Sequence, residues 1–285
     1  MRTFLSIDFE DFSHDLKRSL NVWETGPLRI TALWNSYNEI NTFLSEVGGE
    51  KSSKVTFFCT AIIAKEAPDL INKIASDGHE IACHYFFHDD MYLQEKGEIE
   101  LMLGKAKDEL EKASGKEVKG FRAPKFNISK SIPDQYLAVE KFFSYDSSLA
   151  VNALDEIDVF KQKMGLESLE ILPIFWESFL GQKMKLGGSY LKLFPKKISK
   201  KLILNAKKKG INPHIYLHPY EFNSLQEYRV SFKELNSLGF LKSGYWTLRQ
   251  FQWLRIGNNS LKDKIRLLIE KEGLGGTLKD GLLKK

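Results

Sequence analysis

Short, mostly apolar runs alternate with amphipathic stretches along the first half of the chain. TFLSID (3–8) has the β-rich composition of a strand, and ITALWNSYNEINTFLSEV (30–47) gathers Leu33, Trp34, Tyr37, Ile40 and Leu44 on one helical face. A second strand is predicted at VTFFCT (55–60), then a helix over 68–78 that stops at Gly78, and a third strand at HEIACH (79–84). A long charged helix from about 95 to 114 closes at Gly115, and VKGFRAP (118–124) is a fourth strand halted by Pro124. Strands this apolar, each followed by a helix, imply a parallel sheet or barrel, whose active sites lie beyond the C-terminal strand ends. Past residue 143 the pattern loosens. Strands are expected at 143–148, 169–175 and 214–219, a glycine-hinged loop at 186–195, and an amphipathic helix over 260–273 before a polar, lysine-ended coil.

At 285 residues with 42% hydrophobic content the chain can bury one large core without staples. The two cysteines, Cys59 and Cys83, make no disulfide framework, and MRTFLSIDFED meets an acid too soon for a signal peptide. No apolar run approaches the roughly 20 residues that span a bilayer. These features predict a cytoplasmic protein. Formal net charge is +5, unevenly placed: ten lysines and no acid lie between Glu177 and Glu221. PKKISKKLILNAKKK (195–209) reads as a basic amphipathic helix with Ile198, Leu202, Ile203 and Ala206 inward. Its lysines either are merely solvated or favour phosphate groups or the inner membrane face, and the tail helix around Ile265, Leu268 and Ile269 offers the same choice. Aromatic residues do not interleave with the lysines as nucleic-acid binding would need.

The chemically versatile residues fall at strand ends. Asp8, Glu10 and Asp11 end the first strand, His84 and His88 the third, Arg122 the fourth and His218 a late one. If these strands are neighbours, the side chains meet on one rim. Two histidines four apart, one at a strand end and one a turn later, suit a divalent metal that also takes a carboxylate. Taken alone the pair is equally well explained by one surface and one core histidine. Cys83 should point away from His84 because side chains alternate along a strand. Asp8 suits a general base, His218 a general acid, and Arg122 an ion-pair partner that orients Asp8.

The order of DFED, GHEIACHYFFH, GFRAP and LHP resembles the polysaccharide deacetylases of the NodB-homology type, carbohydrate esterase family 4, over residues 3 to about 222. GGSYLKLFP (187–195) and IYLHPYEF (215–222) are most similar to a divergent branch found with surface-polysaccharide genes. The resemblance implies a distorted (β/α) barrel over 1–257 with a helical C-terminal extension over 258–285. It implies one divalent ion, zinc first, held by His84, His88 and a carboxylate. The implied reaction removes an N-acyl group from a sugar in surface polysaccharide biosynthesis, and a cytoplasmic enzyme would meet that sugar on a nucleotide or lipid phosphate.

Three positions depart from the family pattern. Phe9 follows Asp8 where a second aspartate is usual, so the metal carboxylate is Glu10 if the strand continues or Asp11 if the chain turns. Tyr85 replaces a small hydroxyl residue, predicting a bulkier, aromatic entrance. Lys125 stands where many members have tyrosine, and the resemblance gives its backbone N–H the task of holding an oxyanion. Competing readings are a deformylase on a similar sugar, a metal-dependent phosphoesterase and a non-catalytic sugar-binding barrel.

Overall fold

In the computed structural model, which describes residues 1–22, 26–48, 54–179, 181–222 and 226–282, side-chain alternation along the strand Phe4–Phe9 (β1) sorts the two faces of the sheet. Leu5, Ile7 and Phe9 point outward into the main core, where the helices Ile30–Gly48, Pro68–Ser76 and Lys96–Ser114 lay down Leu33, Tyr37, Ile40, Leu70, Ile74, Leu103 and Leu110. The alternate residues Phe4, Ser6 and Asp8 fall on the opposite, inner face. Thr56–Cys59 (β2) and Glu80–Cys83 (β3) repeat the pattern: Phe57, Cys59, Ile81 and Cys83 join the outer core, whereas Phe58 and Ala82 pack inside with Phe4, Tyr145 and Leu278. Cys83 points into the core, as alternation requires.

The remaining strands are Gly120–Phe121 (β4), Tyr145–Asp146 (β5), Ala150–Val151 (β6), Glu170–Ile171 (β7), Ile174–Phe179 (β8), Gln182–Lys185 (β9) and His214–Leu217 (β10). Seven of them form a parallel sheet in the order β10-β1-β2-β3-β4-β5-β7, and β6, β8 and β9 form a second, three-stranded sheet. The curled sheet with its surrounding helices is a distorted (β/α) barrel, and the C-terminal part is helical. Where β4 and β5 approach, only glycine fits, because a Cβ on Gly120 would lie 2.1 Å from the Tyr145 ring. Gly187 bridges to Tyr216 on β10, and a Cβ there would meet the Tyr216 carbonyl at 2.3 Å.

Several expectations are corrected. The single strand foreseen at 169–175 is two: Pro173 has no N–H to continue the ladder, and the chain leaves β7 in one sheet and enters β8 in the other. The loop foreseen at 186–195 contains the helix Gly188–Leu193. The lysine-rich stretch is the helix expected there, Lys196–Lys208, and its Leu202, Ile203 and Ala206 pack into the core as that reading has them. The tail helix Leu261–Glu272 likewise buries Leu261, Ile265, Leu268 and Ile269. Beyond it, in place of coil, a short helix Leu278–Leu282 docks at the N-terminal end of the strands, where the Leu278 N–H donates to Thr56 Oγ1 at 2.9 Å. The lysine-ended terminus at 283–285 lies outside the described residues. No helix among the described residues is long and apolar enough to cross a membrane.

Candidate metal centre

The C-terminal ends of β1, β3 and β10 open on a cavity of about 320 Å³ lined by Asp8, Glu10, Asp15, His84, His88 and His218, with Phe126, Tyr220, Trp246 and Trp253 as its aromatic walls. Within it the ligand-capable atoms of Glu10, His84 and His88 all lie within 4.8 Å of one another. Glu10 Oε2 stands 2.8 Å from His88 Nε2 and 3.6 Å from His84 Nε2. Despite that proximity no donor is aligned on Oε2, which is a buried oxygen without a hydrogen bond.

A metal fits this arrangement for a reason visible in His84. Its Nδ1 lies 2.8 Å from the Arg122 carbonyl oxygen, so Nδ1 carries the hydrogen and a neutral ring turns the Nε2 lone pair toward the Glu10 carboxylate. A lone pair facing a carboxylate in a buried site is repulsive unless a cation or a proton lies between them. Burial alone would raise the Glu10 pKa, but the imidazoles of His88 and His84 outweigh it and hold the carboxyl well below the usual range. Two imidazoles and one carboxylate are a zinc-type donor set.

Asp11 is corrected to a different role. It is the N-cap of the helix Phe12–Ser19: its Oδ1 accepts from the N–H groups of Ser13 and His14 and from Ser13 Oγ, and its Oδ2 accepts from the Arg29 N–H. Both oxygens are committed to turning the chain, which leaves Glu10 as the carboxylate facing the histidines. Tyr85 is corrected too. Its φ of +68° carries the ring into the core, fully buried, with the hydroxyl donating to Gln94. It does not form the cavity entrance.

Arg122, fully buried, organises the floor. Nη1 donates to Asp8 Oδ1 at 2.5 Å and to Ser6 Oγ at 2.8 Å, Nη2 to Ser147 Oγ and His214 Nε2, and Nε to the Ser147 carbonyl. The guanidinium also lies 4.0 Å over the Phe58 ring. Burial and the adjacent Arg122 charge drive His214 well below the ordinary histidine value, so it serves as a neutral acceptor. At His218 burial favours the neutral ring, but Glu221, whose Oε2 lies 3.2 Å from Nδ1, outweighs it and raises the pKa to about 9. The Glu221 carboxylate at Nδ1 thus favours the protonated ring, and His218 lines the cavity. Its ring stacks on Tyr220 at 5.0 Å.

Lys125 and Phe126 both have positive φ, +56° and +57°, directly after Pro124. Consecutive non-glycine residues in that region are uncommon and tend to occur where the backbone itself has a task. The Phe126 and Asn127 N–H groups turn back to the Ala123 and Pro124 carbonyls, and Lys125 joins the cavity lining. Sequence reading did not single out Asp15, His214, Glu221, Trp246 or Trp253. The i, i+2, i+4 register of His214, Tyr216 and His218 along β10 carried a signal for one of them; the tryptophans are brought in by packing alone.

The family model for polysaccharide deacetylase matches residues 35–140, and that for domain of unknown function DUF3473 matches residues 152–252. The first match contains His84, His88, Arg122 and Lys125, and the second contains His218. The YlxY protein of Bacillus subtilis strain 168 is 35% identical over 88 residues, which are 31% of this chain and 27% of that relative's length. A Mycobacterium smegmatis protein described as a candidate polysaccharide deacetylase aligns over 96% of this chain and 93% of its own, at 18% identity and a TM-score of 0.50. The Bc1960 peptidoglycan N-acetylglucosamine deacetylase aligns over 97% and 86%, at 15% identity and the same TM-score. At such identities the likeness bears on the fold. Family match and barrel agree: the chain contains a polysaccharide deacetylase domain, matched over residues 35–140, followed by the DUF3473 region.

Proposed function

We propose that this protein is a metal-dependent hydrolase that removes an N-acyl group, N-acetyl first, from a sugar carried on a nucleotide or lipid phosphate in surface polysaccharide biosynthesis. The observation that carries the reading is the convergence of Glu10, His84 and His88 in one cavity with an Arg122-bound aspartate and a cationic histidine. His84, His88 and Glu10 would hold a divalent ion, zinc first, which supplies Lewis acidity when bound. Asp8 is the general base. Arg122 occupies its Oδ1 and fixes its plane, so Oδ2 takes the proton of the attacking water. His218, held cationic by Glu221, delivers a proton from Nε2 to the departing amine nitrogen. The Lys125 N–H is the oxyanion donor. The aromatic walls suit the apolar face of a sugar ring and exclude bulk water.

The test combines metal analysis of the purified protein with amine release from N-acetylated and N-formylated nucleotide sugars. Stoichiometric metal and release from the acetyl series is the expected result. Release confined to formyl substrates would make the protein a deformylase, and metal-free protein that binds sugar without turnover would make it a binding barrel.

A further inference from the structure

The helix Phe240–Leu254 divides its circumference among three surroundings. Ser243, Gln250 and Leu254 are buried, with the Gln250 amide making paired hydrogen bonds to the Val230 backbone. On one flank Trp246 and Trp253, stacked 6.2 Å apart, form part of the cavity wall. The side opposite the buried one carries a ridge of Leu241, Tyr245 and Leu248, which are 84%, 57% and 71% exposed; Phe240 starts the helix about 100° round from them, its ring against Phe232. At ~100° per residue the first three lie within about 60° of one another. Single exposed apolar side chains are ordinary, but three on one face of one helix mark a contact surface.

Charge identifies the contact. Between Glu234 and Asp263 the chain has Lys242, Arg249, Arg255 and Lys262 and no acid. Lys262 is occupied by Glu39, whereas the other three flank the ridge on the same helix or at its end, and the Arg249 guanidinium lies 4.4 Å over the Trp253 ring. Leucine and tyrosine in the centre, with cations and tryptophan at the border, is the layout of a helix lying in a membrane interface.

We propose that the 240–254 helix is a docking element for an anionic lipid surface, inserting Leu241, Tyr245 and Leu248 while Lys242, Arg249 and Arg255 meet the headgroups. The basic helix Lys196–Lys208 and the tail helix, whose apolar faces are packed inside, are not the docking elements. Docking needs no catalysis and stands or falls separately from the deacetylase reading. If that reading also holds, the tryptophan wall comes to headgroup level and the substrate best served is a sugar carried on a lipid.

The test is flotation of the full chain with phosphatidylcholine vesicles, with and without phosphatidylglycerol, at rising salt. Binding should require phosphatidylglycerol and weaken with salt, and the double variant L241S/L248S should lose at least about tenfold in partitioning with an unchanged melting curve. K242E should weaken binding further toward the neutral-vesicle level. Absence of flotation, flotation indifferent to phosphatidylglycerol, or equal flotation of the double variant would overturn the proposal. So would light scattering that finds a dimer which L241S/L248S converts to monomer, because the ridge would then be covered by a second copy.

Discussion

Two buried glutamates at opposite ends of the barrel show what separates structure from function here. Glu80, at the N-terminal end of β3, is fully answered: Thr56 Oγ1 donates at 2.6 Å, Tyr145 Oη at 2.9 Å and the Lys279 N–H at 3.1 Å. Glu10, at the C-terminal end of β1, is equally buried, yet it faces two imidazoles and has an oxygen with no aligned donor. The first carboxylate closes a core, whereas the second is the one the proposed function assigns to a metal ion. Cavity size does not make this distinction. A larger cavity of about 380 Å³ opens near the Glu80 end, lined by Phe4, Leu172, Leu278 and His214 and by no carboxylate.

The contrast predicts effects of different size and kind. The largest is at Asp8, next to the open carboxylate. Asp8→Asn should lower turnover about 10²–10⁴-fold while metal stays bound, measured by amine release beside metal analysis; retained turnover would remove Asp8 as the base. Glu80→Gln should cost about 1–3 kcal/mol in denaturant unfolding, because it disturbs a satisfied network, with metal content unchanged. Glu10→Gln should do the reverse, leaving metal-free stability equal or higher while metal affinity falls. Similar stability losses for the two variants would erase the distinction between the glutamates.

The smallest effect is a shift in pH dependence. His218 has its folded pKa raised from 6.5 to about 9, so the folded protein holds the proton more tightly. Its contribution to stability is complete below about pH 6.5 and is lost as pH rises through about 9. Melting temperature should decline over that window, and the alkaline limb of activity should follow the same group. Glu221→Gln should flatten the decline and move the limb toward neutral pH. A limb that stays in place in that variant assigns it to another group.

Legibility in the sequence follows the strength of local pattern. β1 to β3 and the helices Ile30–Gly48 and Lys96–Ser114 were visible because an apolar strand must be followed by an amphipathic cover. The strand end bearing His84 and His88 was visible for the same reason. The helix Phe12–Ser19 was not, because DFED reads first as a cluster of acids and only the Asp11 cap distinguishes a helix start from a ligand set. Within the strands expected at 118–124, 143–148 and 169–175 only two-residue ladders form in the main sheet, β4, β5 and β7, and the two-residue β6 was too short for periodicity to register. The register between Glu10 and the imidazoles depends on sheet curl, which no local pattern encodes.

Arg122 joins the two halves of the site by different parts of one residue. Its carbonyl fixes the tautomer of His84, and its guanidinium steadies Asp8. Replacing the side chain therefore leaves the histidine's anchor in the main chain, so the ion capture and proton abstraction proposed above, though neighbours, would be separable by mutation at this one position.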